Sequence, residues 1–307
     1  MNFYSFVRML RNIIYIINPV SGTRRKKDLQ EIIEQKTKEK KIPFTIYPSV
    51  ANGDYSFLQP VIISEKITDV IIAGGDGTVN QVVGSLFKND VNFGVIPCGS
   101  GNGLAFTAKI PGQYSKALDI IFTGRPTAID GFRVNDRFAC MLCGLGFDAK
   151  VAHDFANQSK RGLTTYIKQV VRNFFSAKTY PFTIQMGEKE FETDAYFISI
   201  ANSNQFGNNL TIAPKASLHD GLLDIVIVTK QNKLSMILQT LRQVAGANRL
   251  QVDSLIDREK AVIYFQTGQL NVFNKSLAPL HIDGDPEATS EKLEIKIMKQ
   301  CFRLIQP

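Results

Sequence analysis

Three carboxylates stand where chemistry is expected: Asp76 inside the glycine turn Gly74-Gly75-Asp76-Gly77-Thr78, and the pair in Asp283-Gly284-Asp285. The glycine turn follows the apolar run Val70-Ile71-Ile72-Ala73 and precedes Val79 to Leu86, which reads as a helix. A strand, a glycine turn and a helix N-terminus make an anion site. Glycine lets the backbone approach an oxygen closely, and the free N–H groups and helix dipole favour negative charge. A carboxylate in such a turn repels a bare phosphate. Asp76 therefore suggests a metal ion, a proton or a hydroxyl between it and the ligand, which is the logic of phosphoryl transfer. The Asp283/Asp285 pair can hold a proton acceptor near a metal, or can be an ordinary Asp-Gly hairpin turn.

Two further loops carry donors after strand-like runs. Asn18-Pro19-Val20-Ser21-Gly22 offers a hydroxyl and glycine N–H groups, and Gly99-Ser100-Gly101-Asn102-Gly103 offers backbone donors, a hydroxyl and an amide. The cluster Arg24-Arg25-Lys26-Lys27 either contacts phosphates or opens a solvated helix. Ser217-Leu218-His219-Asp220-Gly221 is a second Asp-Gly turn, able to bind a hard cation or to be a plain turn. Cys140 and Cys143 form a C-x-x-C inside an apolar stretch with no second pair, so they read as small buried hydrophobes. His153, His219 and His281 read as surface or core, not as a metal triad. The chain has no G-x-x-x-x-G-K-[ST] loop, none of the protein-kinase signature elements and no spaced dinucleotide fingerprint.

These loops must be positioned by strands and helices. Asn12–Ile17, Pro43–Tyr47, Asp69–Ala73 and Asn92–Ile96 read as strands, with helices predicted within Thr23–Lys41 and over Tyr55–Lys66. Strand–helix alternation implies βαβ units and a parallel sheet. All three glycine loops then fall at the strand ends where such sheets bind ligands. Beyond about Ala128 the pattern becomes β-rich: Phe138–Leu142, Phe182–Met186, Ala195–Ala201, Leu223–Thr229, Ala261–Gln266 and Leu293–Met298. Two helices are predicted among them, Thr164–Ala177 and Leu234–Val244. The first follows Ser159-Lys160-Arg161-Gly162 and carries Lys168, Arg172 and Lys178 opposite an apolar face, so it either is the candidate lipid-facing element or packs that face on the sandwich.

The chain has 307 residues, 44% hydrophobic and 21% charged, enough for two domains with a sizeable core. Its net charge of +8 suits nucleotides, anionic lipid surfaces or nucleic acid. Few, irregular cysteines fit a reducing cytoplasm. No apolar run is long enough to span a bilayer, and the N-terminal stretch does not read as a signal peptide.

The set Asn18-Pro19-Val20-Ser21-Gly22, Gly74 to Asn80, Gly94-Val95-Ile96-Pro97-Cys98-Gly99-Ser100-Gly101-Asn102, Leu218 to Leu223 and Asp283-Gly284-Asp285 resembles the diacylglycerol kinase catalytic-domain family in order and over nearly the whole chain. That family includes bacterial diacylglycerol and lipid kinases, sphingosine kinases and ceramide kinases. The resemblance implies an N-terminal α/β nucleotide domain (1–130) and a C-terminal β-sandwich lipid-substrate domain (131–290). Residues from about 290 to 307 are a candidate to return to the first. It implies ATP- and Mg2+-dependent transfer of the γ-phosphoryl group to a lipid hydroxyl by a cytoplasmic protein at the membrane surface. No nucleic-acid partner is implied, and a homodimer is left open.

By the same resemblance Asn18, Pro19, Val20, Ser21, Gly22, Gly74, Gly75, Asp76, Gly77, Thr78, Val79, Asn80 and Ser100 hold ATP, with Ser49 a further candidate. Asp76 organises magnesium, joined by Asp130. Asp220, with the carbonyls of Ser217 and Leu222, matches a structural magnesium site of bacterial members. The acceptor-activating base comes from Asp283 or Asp285, or from Asp76 as in sphingosine kinases. The family usually reads Asp-Gly-Glu where Asp285 stands here. The third loop, Gly101-Asn102-Gly103-Leu104-Ala105, looks closer to that of sphingosine and ceramide kinases, which raises a sphingoid-base acceptor. A soluble kinase of NAD or a sugar phosphate, and a nucleotide-binding lipid sensor without turnover, are the other readings.

Overall fold

The computed structural model describes residues 11–21, 27–156, 158, 168–169, 172–174, 176–207, 210–248, 250–251, 256–257 and 259–307. Gly22, Arg24 to Lys26, Ser159 to Gly162 and half of Thr164–Ala177 lie outside them. The N-terminal part alternates β1 (Ile13–Ile17), α1 (Lys27–Glu39), β2 (Phe44–Pro48), α2 (Leu58–Ser64), β3 (Asp69–Gly74), α3 (Asp76–Leu86), β4 (Asn92–Pro97), α4 (Gly103–Thr107) and α5 (Tyr114–Thr123). β2, β1, β3 and β4 pair in that order, all parallel. β1 and β3 are almost wholly buried apolar runs, as strands covered on both faces must be. α3 packs Val79, Val82, Val83 and Leu86 onto the sheet, each burial contributing roughly 1.5–3 kcal/mol.

The remainder comprises β5 (Arg125–Val134), β6 (Arg137–Ala139), β7 (Leu142–Gly146), α6 (Phe147–Ala156), β8 (Tyr180–Met186), β9 (Lys189–Ala201), β10 (Gln205–Gly207), β11 (Leu210–Thr211), β12 (Leu223–Thr229), α7 (Lys233–Val244), β13 (Val262–Thr267), β14 (Gln269–Phe273), β15 (Leu280–Ile282), β16 (Asp285–Glu287) and β17 (Lys292–Gln306). Its strands pair antiparallel around a second core built from Phe132, Phe182, Ile198, Ile225, Phe265 and Ile295. The fold is thus an α/β domain with a parallel sheet plus a C-terminal β-sandwich domain.

β17 joins the two parts. Its first half pairs with β14, its end runs parallel to β4, and β5 lies antiparallel along nearly its whole length. The register shifts between Met298 and Phe302, where Gln300 has a positive φ of 48°.

Two expectations are corrected. Helix α3 begins at Asp76, not Val79. Gly75 is extended at its N-cap, and Val79 N–H already bonds Gly75 O, so Asp76 lies in the first turn where the dipole favours a carboxylate. Phe138–Leu142 is not one strand. It is the break between β6 and β7, because the N–H groups of Cys140, Met141 and Leu142 turn to a carboxylate.

Candidate active site

The glycine loops meet at the C-terminal edge of the parallel sheet. Gly75 and Gly99 touch backbone to backbone: a Cβ on Gly75 would lie 3.1 Å from Gly99 Cα, so neither position admits a side chain without movement. Asn102, left-handed at φ 58°, clamps the third loop by accepting Gly99 N–H at 2.8 Å and donating to Gly99 O at 2.9 Å. Asn18 Nδ2 donates to Thr78 Oγ1 at 2.8 Å, tying the first loop to α3. Its Oδ1 accepts Val20 N–H, and its carbonyl accepts from Ser21 Oγ. Val20 is 84% exposed. Ser49 N–H donates to Ile17 O at the same sheet edge, and Ser100 follows β4.

Asp76 is half-buried. Burial pushes its carboxyl up to about 7, with the Asp283 charge adding to the rise. The backbone N–H groups of Gly103, Asn102 and Leu104 pull it back.

The second part contributes the Asp283-Gly284-Asp285 turn between β15 and β16. Asp283 is 4% exposed and φ-positive at 49°. Its Oδ1 accepts from Met141 N and Leu142 N, both at 2.9 Å. Its Oδ2 accepts from Cys140 N at 2.8 Å and Asn80 Nδ2 at 2.7 Å. Burial raises this carboxyl above the ordinary range against the pull of those four donors. Asp285 is exposed, and its Oδ2 occupies the space that a Cβ on Gly77 would need. Asn80 Nδ2 also donates to Phe138 O, and Phe138 stacks on Phe87 at 5.0 Å, so α3 is locked to the β6–β7 break. Asp76, Gly77, Thr78, Asn80, Asn18, Asp283 and Asp285 thus form one constellation.

Asp130, Ser217, Asp220 and Leu222 form a separate cluster. Asp130 is buried at 1%; its Oδ2 accepts Gly221 N–H and its Oδ1 accepts Gln300 N–H, both at 2.7 Å. Asp220 Oδ1 accepts Leu222 N–H at 3.0 Å, and Ser217 Oγ accepts His219 N–H at 3.3 Å. Burial, with the Asp130 charge adding to it, pushes the Asp220 carboxyl up, an environment that a cation relieves. Among the described residues no three Asp, Glu, His or Cys side chains converge as a metal cage. A magnesium ion fits such a chain only as an ion sharing one or two carboxylates with phosphates, backbone oxygens or water.

Two features had no sequence signal. The backbone N–H row of Cys140, Met141 and Leu142 belongs to no motif. Asp148, in the first turn of α6, holds Oδ2 3.4 Å from His281 Nε2, and that oxygen is buried without a hydrogen bond. His281 Nδ1 faces Gly284 N–H at 3.3 Å, so this pair backs the Asp283-Gly284-Asp285 turn. Cys140 and Cys143 are free and buried.

A parallel α/β domain whose glycine loops face an acidic turn from a β-sandwich defines a class of phosphotransferase-like folds, and the comparisons narrow it. Residues 12–134 match the diacylglycerol kinase catalytic domain, and residues 142–305 match the YegS C-terminal NAD kinase beta sandwich-like domain. Relatives include a protein named "Probable lipid kinase YegS-like" from Citrobacter koseri, 28% identical over 249 residues, covering 78% of this chain and 79% of that one. A "Diacylglycerol kinase" from Bacillus subtilis is 26% identical over 276 residues, covering 88% of each. A crystal structure of a diacylglycerol kinase from Bacillus anthracis superposes with a TM-score of 0.71 at 17% identity, covering 97% of both chains, which shows the shared fold. The chain belongs to the diacylglycerol kinase catalytic-domain family of lipid kinases.

Proposed function

We propose that this protein transfers the γ-phosphoryl group of ATP to the hydroxyl of a diacylglycerol-type lipid at a membrane surface. Residues 1–130 would serve the nucleotide and 131–290 the lipid. The observation that carries the reading is the contact of Asp285, from the sandwich side, with Gly77 of the nucleotide loop. It supports the reading because an exposed carboxylate lying against that loop has the proximity that a base for an acceptor hydroxyl would need.

Asp285 is the base in this reading. It takes the hydroxyl proton as the new O–P bond forms and the bond from the γ-phosphorus to the bridging oxygen breaks, leaving ADP. Asp283, with all four of its hydrogen bonds spent on protein donors, positions the turn and accepts no proton. The loops Asn18 to Gly22 and Gly74 to Asn80, with Ser100 and Ser49, hold ATP. Asp76 would hold magnesium against the phosphates, and that ion would neutralise charge developing on them. The Asp130–Asp220 cluster, with the carbonyls of Ser217 and Leu222, would hold a second, structural ion.

The test mixes purified protein, magnesium and γ-labelled ATP with micellar diacylglycerol, monoacylglycerol, sphingosine and ceramide. Labelled product from diacylglycerol, lost in Asp285→Asn but with nucleotide binding kept, is the expected result. Labelled sphingosine or ceramide in its place would move the acceptor to the sphingoid class. No labelled lipid at all would overturn the reading.

A further inference from the structure

Helix α7 (Lys233–Val244) is turned inside out. Its buried positions are Met236 and the amide Gln243. Gln243 is satisfied inside: Nε2 donates to Ile212 O at 2.8 Å, and Oε1 accepts from Asn248 Nδ2 at 3.0 Å. The large aliphatic side chains point outward, Leu234 at 78%, Ile237 at 40%, Leu238 at 56% and Leu241 at 60% exposure. Their spacing of three, four and seven residues puts all four in one stripe. A surface helix ordinarily does the reverse, and a contiguous exposed aliphatic stripe marks a face that something covers.

The charges around the stripe select what covers it. No acidic residue occurs between Lys233 and Val244, while Lys233 and Arg242 flank the stripe on the helix. Lys233 Nζ stands 5.9 Å from the centre of the Phe174 ring, beside a segment whose Lys168 and Arg172 are exposed. Aliphatic side chains entering the headgroup–acyl boundary with bases meeting phosphates is the arrangement that an anionic bilayer stabilises. A second copy is less complementary. An antiparallel α7 pair would set Lys233 against the other copy's Arg242, with no carboxylate on the helix to offset the repulsion.

We propose that α7 docks this protein on an anionic lipid surface through Leu234, Ile237, Leu238 and Leu241. The inference rests on the lipid-kinase reading only in expecting a membrane to be where the protein works.

The chain contains no tryptophan, so Leu238→Trp gives a single fluorescent reporter at an exposed position. Its emission should shift to the blue with phosphatidylglycerol vesicles and stay unchanged with phosphatidylcholine vesicles, and added salt should weaken the effect. The double variant L238E/L241E should bind phosphatidylglycerol vesicles about ten-fold or more weakly. Its turnover of a short-chain diacylglycerol below the micellar concentration should stay within about two-fold of the parent, since neither residue lies at the site. Parent protein that does not sediment with phosphatidylglycerol vesicles overturns the proposal. So does a double variant that sediments as the parent does. Loss of a dimer in the double variant with vesicle binding intact would assign the stripe to a second copy instead. Vesicle binding that depends on α7, without turnover of any lipid, would sustain the docking surface and sink the kinase reading.

Discussion

Asp285 Oδ2 fills the position that a side chain on Gly77 would occupy, so the carboxylate of one domain and the backbone of the other are fitted to each other across the cleft. The obstacle to a larger residue at position 77 is the far end of a side chain, which can swing away without unfolding anything. Gly77→Ala should therefore fold with a melting temperature within a few degrees of the parent. Its kcat should fall about 10- to 100-fold because Asp285 is displaced. Thermal unfolding and steady-state kinetics measured together check this, and a normal kcat would show that Asp285 does not act from this position.

Asp283→Asn should behave in the opposite way. An amide presents N–H groups to some of the four donors that now converge on the carboxylate, leaving buried backbone N–H groups unpaired. A cost on the order of 3 kcal/mol is expected in urea unfolding, with activity lost in proportion to the folded fraction at first and beyond it once the turn loosens. Unchanged stability would show that the carboxylate is not what holds the β6–β7 break.

Asp76 should trade stability for function. Its folded-state carboxyl is raised from 3.8 to about 7, so between those values the folded chain holds a proton that the unfolded chain has released. Stability then falls as pH rises through this window, and the full cost is present above it. Without nucleotide or divalent ions, Asp76→Asn should be more stable than the parent at pH 8, by roughly 1–3 kcal/mol, and equal to it near pH 3. Turnover by the variant should drop by at least about 100-fold. Calorimetry across pH would sink this if the variant were the less stable protein at pH 8.

The sites that could be read from the chain were local ones. β1, β3 and β4 are short apolar runs rich in β-branched residues, each followed by a glycine-bearing loop, so both the strands and the loops after them follow from composition over a few residues. Asp283 could be read as a carboxylate in an acidic turn, but not as a satisfied one. Its partners are Asn80, 203 positions away, and three backbone N–H groups 141 to 143 positions away. Backbone donors have no residue type, so no motif encodes them. The run Phe138–Leu142 looks like a strand because its side chains are apolar; its break is dictated by where its N–H groups point. His281 and Asp148 fail for a similar reason, since their pairing depends on β15 lying beside β7. In α7 the period of the apolar residues was legible, but the side that faces the core was not. A buried Gln243 settles it, and nothing in a glutamine's neighbours along the chain announces that it will be buried.

The irregularity in β17 has a mechanical consequence. Strands β5 and β17 run together between the parallel-sheet part and the sandwich part, and their pairing is interrupted between Met298 and Phe302. Asp130 pins that interruption by holding Gln300 N–H with one oxygen and Gly221 N–H with the other. The approach of Asp285 to Gly77 is thus braced from two directions, at the acidic turn by the bond from Asn80 to Asp283 and at the strand bend by Asp130.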